Sequence, residues 1–185
     1  MLGLSPGPAP SSSWRIELSR RDPGPIFETD EEEVGLATSY SKQIEVHYAS
    51  LWSPATGRHK LSKGPVHELP SCFEILEFQR TRDMKAYATL CMSQFTDPPE
   101  DRLELHLFAP PQGETDCLTE ILTATAHYHR TGSRLGLGHS INFGQPWLPG
   151  SRCTFGLLSL PYLDGPELER LVEPEVRFLW LIPVT

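Results

Sequence analysis

Two apolar rhythms alternate along the chain from Ser41 onward. Ile44, His47, Tyr48 and Leu51 recur at i, i+3, i+4 and i+7, which predicts an amphipathic helix. Pro54 ends it, because proline lacks an amide proton and its ring clashes with the preceding turn. Residues 53–65 carry Pro, Gly and basic side chains and read as a loop. The period then shortens to two. Residues 73–78 (FEILEF) predict one strand. Residues 85–92 (KAYATLCM) are small or apolar on both faces, which predicts a central strand covered on both sides. In residues 102–108, Leu103, Leu105 and Leu107 alternate with Glu104 and His106, the pattern of a half-buried strand with its polar face in water.

The best helical stripe is Leu118, Ile121, Leu122 and Thr125, within residues 116–130. Thr115 or Asp116 can cap its first amides, and Gly132 suits a left-handed stop. Strands resume at 137–143 and 153–160. A short helix follows at 166–171, with Pro166 in the tolerated first position. The closing strand is 175–183, where Val176, Phe178, Trp180 and Ile182 share a face. Residues 1–13 are mostly Pro, Gly and Ser and predict a mobile arm. Trp14, Ile16 and Leu18 alternate with charged residues as a short edge strand does, and the acidic run 29–33 reads as a helix start or a solvated loop. The expected organisation is an arm over 1–39 and one domain over 40–185.

The length of 185 residues is enough for one domain with a sizeable core. A net charge of −8 disfavours nucleic acid, since Arg58, His59, Lys60 and Lys63 are the nearest approach to a basic patch. An acidic surface suits a basic protein partner. The four cysteines, Cys72, Cys91, Cys117 and Cys153, have no C-x-x-C spacing and each lies in or beside an apolar run, which predicts buried free thiols. No secretory leader or membrane-length apolar run is present, so a cytoplasmic location with no membrane contact is the expectation.

Candidate chemistry is sparse. The seven histidines include no H-E-x-x-H, and His127 and His129 on one helix point apart, so neither a metal nor another cofactor is expected. Residues 138–142 (GHSIN) approach the G-x-S-x-G nucleophile elbow, but the second glycine is Asn142 and no helix follows. A small-molecule enzyme would need His139, Ser140 and a carboxylate to converge in one deep pocket. Trp147, in a loop rich in Gly and Pro, either plugs the core or anchors a partner.

Five segments taken in order resemble the suppressor of fused domain family. They are residues 65–69 (PVHEL) before the first long strand, 87–93 (YATLCMS), 103–110 (LELHLFAP), 138–141 (GHSI) and 176–185 (VRFLWLIPVT). The family commonly has Gly just before Met-Ser, where this chain has Cys91. The resemblance implies an α+β domain with a mixed or largely antiparallel sheet flanked by helices. It implies a protein-binding module and not an enzyme. Stand-alone bacterial members look like immunity proteins that neutralise a toxin domain, and animal members hold a transcription-factor peptide. For this chain the implied partner is a protein, a toxin domain or a peptide. His67, Glu68, Gly138, His139 and Trp147 are the candidate contact residues, and a cleft beside His67, Glu68 and the His139 turn could take an extended strand.

Overall fold

The computed structural model describes residues 30–62, 64 and 66–185. The arm expected over 1–13 and the strand expected at 14–18 lie outside the described residues, as do Lys63 and Pro65. Three helices, α1 (Asp30–Trp52), α2 (Thr115–Thr131) and α3 (Pro166–Glu169), accompany eight strands. The strands are β1 (Gly57–His59), β2 (Glu74–Thr81), β3 (Met84–Leu90), β4 (Leu103–Ala109), β5 (Ser140–Asn142), β6 (Phe155–Ser159), β7 (Arg170–Leu171) and β8 (Val176–Val184). They form one mixed sheet in the order β1-β2-β3-β4-β8-β6-β5, with β7 also on β8. Every pairing is antiparallel except β4 with β8. The fold is α+β, as the sequence predicts.

The sheet is the middle of three layers. On one face α1 lays Tyr40, Ile44, Tyr48 and Trp52 over Leu76, Phe78, Ala86, Ala88, Phe108 and Phe178. Tyr48 stacks on Trp52 at 4.9 Å between ring centroids and meets Phe178 edge-on at 5.1 Å. On the other face α2 lays Leu118, Ile121, Leu122 and Ala126 over Ile75, Tyr87, Leu105, Leu107, Leu179 and Leu181. Each fully buried side chain of this size contributes about 2–3 kcal/mol. The two-sided cover explains why β3 and β8 read as nearly unbroken apolar runs.

The structure corrects the sequence reading in several places. Helix α1 begins at Asp30, well before Ser41, so residues 30–33 of the acidic run are helical. The loop expected over 53–65 contains β1, which pairs with β2. Strand β4 is not half in water: all seven residues are buried, with Glu104 and His106 fully enclosed beneath α1. Helix α2 has Glu114 at its N-cap with no side-chain cap bond, in place of Thr115 or Asp116. Gly132 is not left-handed, with φ of −104°. It is glycine for room instead, since a Cβ there would sit 2.9 Å from the Tyr128 ring and carbonyl. All four cysteines are free, but only Cys91 is buried; Cys72, Cys117 and Cys153 are half-buried.

Candidate functional site

Strand β5 is an edge of the sheet, paired only to β6 among the described residues. Leu158 donates its amide to His139, and Phe143 donates to Thr154. By the alternation of an antiparallel ladder, Ser140 and Asn142 turn their N–H and C=O groups outward. The strand is held at both ends. Gly138 adopts φ of +81°, which only glycine takes without strain, and its amide donates to the Leu158 carbonyl at 2.8 Å. At the far end the Asn142 side chain accepts the Gly144 amide at 2.8 Å.

Beside this edge runs a groove of about 480 Å³. One wall is α2, with Ala124, His127 and Tyr128. The other is β5 with Ser140 and Asn142, and Ile121 and Phe143 lie between. Phe143 packs against the core under α2 and is wedged there by Gly156 of β6, where a Cβ would fall 2.5 Å from its ring. Tyr128 is 46% exposed, a large aromatic surface at the groove rim.

The candidate residues do not form one site. His67 and Glu68 pair with each other at 3.3 Å and are largely in water. They precede β2, whereas His139 precedes β5. Both lie at the same end of the sheet but five strands apart, roughly 24 Å at normal strand spacing. Gly138 shapes the β5 turn, His139 is exposed, and Trp147 is half-buried against the core on the α2 face. The Trp147 carbonyl accepts the Cys117 thiol at 3.5 Å, which ties its loop to α2. Among the described residues the groove lining contains Ser140 but neither His139 nor a carboxylate.

The motif residues before β2 and after β3 are built into the frame. From α2, the Arg130 guanidinium donates to the carbonyls of Glu68 at 3.1 Å, Met92 at 3.4 Å and Gln94 at 3.0 Å. Cys91 has φ of +66°, the conformation that the family's glycine would take freely.

Sequence reasoning missed a chain of buried polar groups under α1. Glu104 accepts the Thr89 hydroxyl at 2.6 Å, while its other oxygen faces the Met92 and Ser93 amides without a well-formed bond. Burial pushes its carboxyl up to about 8, against the hydrogen bond from Thr89. His106 packs edge-on to Trp52, 5.1 Å between centroids; neither ring nitrogen has a hydrogen bond among the described residues, and Nε2 lies 4.0 Å from Asp164 Oδ2. Burial, with Arg80 nearby, holds its imidazole down at about 3. Asp164, from the loop before α3, accepts Trp52 Nε1 at 2.7 Å and Arg80 at 2.5 Å. Arg80 lies over the Trp52 ring at 5.1 Å. The one available signal was the polar parity of β4, which fits a wet face and a buried polar face equally well.

No family model matches this chain, and no curated protein matches it. Among solved structures it is similar to a suppressor of fused protein homolog from Neisseria gonorrhoeae, with 26% identity and a TM-score of 0.68. The alignment covers 80% of this chain and 79% of the other. The chain has a suppressor of fused-like fold, as its five ordered segments indicated. No helix among the described residues is long and apolar enough to cross a membrane.

Proposed function

We propose that this chain is a non-enzymatic protein-binding domain whose contact face is the β5 edge with the α2–β5 groove. The open edge carries the reading. Outward amide and carbonyl groups at Ser140 and Asn142 can pair with an extended partner segment, and the adjacent apolar groove can seat alternate side chains of that segment. Tyr128 supplies an aromatic anchor at the rim. The reading differs from the cleft expected at His67, Glu68 and His139 in using only the β5 side. His67 and Glu68 drop out of the contact face, and Trp147 supports it from below.

The partner class rests on the resemblance and on charge. Stand-alone members of the family look like immunity proteins, and an acidic chain of net charge −8 suits a basic toxin domain. A cytoplasmic location belongs to the same proposal. The peptide-adaptor reading shares the same edge, and the two separate by partner: a folded domain losing its activity, or a short extended segment sufficient for binding. The enzyme reading finds little support in a groove lined without a carboxylate.

The test is co-purification from native cells, identification of the partner, and hydrogen exchange of the purified complex. Protection of the Ser140 and Asn142 amides is expected. Ser140→Pro removes an outward amide while sparing those that face β6, and it should abolish binding with the fold intact. Binding unchanged by this substitution, or protection elsewhere with β5 still exchanging, would overturn the proposal.

A further inference from the structure

A second candidate site lies on the α1 side of the sheet, in the turn that follows β3. Two non-glycine residues of this turn are left-handed, Cys91 with φ of 66° and Phe95 with φ of 60°. Such conformations cost on the order of 1–2 kcal/mol each and collect where a ligand must be met. Polar atoms with no hydrogen-bond partner among the described residues gather here: Gln94 Nε2, Thr96 Oγ1 and, from α1, the Tyr40 hydroxyl. Gln94 is 2% exposed and Tyr40 8%. A buried donor left without a partner costs about 1–3 kcal/mol, so such groups are uncommon without a reason. Gln94 is fixed from its other end, where its Oε1 accepts the Cys72 thiol at 2.5 Å.

Tyr40 and Gln94 open on a cavity of about 340 Å³, together with Gln43, Phe95, Arg102 and Pro174. Arg102 Nε donates to the Thr96 carbonyl at 3.1 Å, which aims the guanidinium along the turn. The polar lining includes three donors, the Tyr40 phenol, the Gln94 amide and the Arg102 guanidinium, alongside Ser39 and Gln43. No carboxylate among the described residues lines the cavity, although the chain as a whole is acidic. Glu104 is close enough to act on Tyr40 electrostatically, and burial pushes its carboxyl up to about 8. Apolar lining comes from Phe95, which is 55% exposed, and from Pro174.

We propose that this cavity binds a small carboxylic acid with an apolar body. The carboxylate takes the Tyr40 hydroxyl, the Gln94 amide and the Arg102 guanidinium, and the body lies against Phe95 and Pro174. The cavity is of the size that holds a small ligand. A charged acceptor meeting several preformed donors gains the stronger class of hydrogen bond. The site is separate from the β5 edge, so either proposal can fail alone.

The experiment uses the full chain with phenylacetate as probe and 2-phenylethanol as uncharged control, read by amide chemical shifts and thermal melting. Phenylacetate at roughly 10 mM, appropriate to a millimolar fragment, should move the amides of Tyr40, Gln94 and Phe95 and raise the melting temperature. The alcohol should do neither. Tyr40→Phe removes a hydroxyl that has no partner, so the free protein should melt no lower, yet phenylacetate should bind roughly tenfold more weakly. Arg102→Gln should abolish discrimination between acid and alcohol. No shift at these residues, equal shifts with both probes, or wild-type affinity in both variants would overturn the proposal.

Discussion

The Ser93 hydroxyl satisfies both main-chain polar groups of Leu103. It accepts the Leu103 amide at 2.7 Å and donates to its carbonyl at 2.5 Å. One side chain thus extends the β3–β4 ladder past the end of β3, where the backbone turns away at Cys91. Ser93→Ala should leave two buried backbone groups unpaired and destabilise the fold by about 2–4 kcal/mol. Urea denaturation of Ser93→Ala and Ser93→Thr checks it: threonine keeps the hydroxyl and should recover much of the loss.

Asp164 holds α1 to β2 in the same economical way. Its Oδ1 takes both Trp52 Nε1 and Arg80, with 1% of the Asp164 side chain exposed. Asp164→Ala would strand a mostly buried guanidinium and an indole N–H, and should cost about 3 kcal/mol or more. Tryptophan fluorescence should report the changed surroundings of Trp52 before global unfolding. The double variant Asp164→Ala with Arg80→Met should be more stable than Asp164→Ala alone, because no unpaired charge remains. A double variant no more stable than the single would refute this account.

Glu104 and the two buried histidines should give stability two opposing pH limbs. Below the ordinary carboxyl value of 4.5, Glu104 is protonated folded or unfolded and costs nothing. As pH rises from there to about 8 the unfolded chain ionises while the folded one keeps its proton, so stability falls by a few kcal/mol. Burial holds His106 at about 3 and His129 at about 4. Below the ordinary imidazole value of 6.5 the unfolded chain gains protons that the folded chain refuses, so stability also falls toward acid. Melting temperature against pH should flatten on the alkaline side in Glu104→Gln and keep its acid limb. An unchanged alkaline limb would mean that Glu104 is ionised in the fold.

Element types were legible because burial left its period on the chain. The stripe of Ile44, Tyr48 and Leu51, the alternation in β4 and the apolar run of β8 all gave the right element. The failures share a cause. Alternation cannot tell a face in water from a face beneath a second helix, so Glu104 and His106 were read as solvated when α1 covers them. Strand β1 is three residues of Gly, Arg and His, too short and polar to carry a period. The turn that starts the edge strand was legible at Gly138 and His139. It was not legible at Ala124, Tyr128 and Phe143, because their convergence depends on how α2 lies over the sheet. Motif order grouped His67 and Glu68 with that turn, but the sheet order separates them.

The parallel pairing of β4 with β8 has a kinetic consequence. Leu103 lies beside Arg177, so this central contact closes a loop of about seventy residues before any part of it can form. The β1–β4 meander can assemble from neighbours in sequence, whereas β5 and β6 reach it only through β8. Docking of β8 should therefore limit the rate of folding, and substitutions at Phe178 or Leu179 should slow refolding more than those in β1. Until β8 arrives, the free side of β4 is an unpaired apolar edge, the surface through which half-made copies of this chain would find one another.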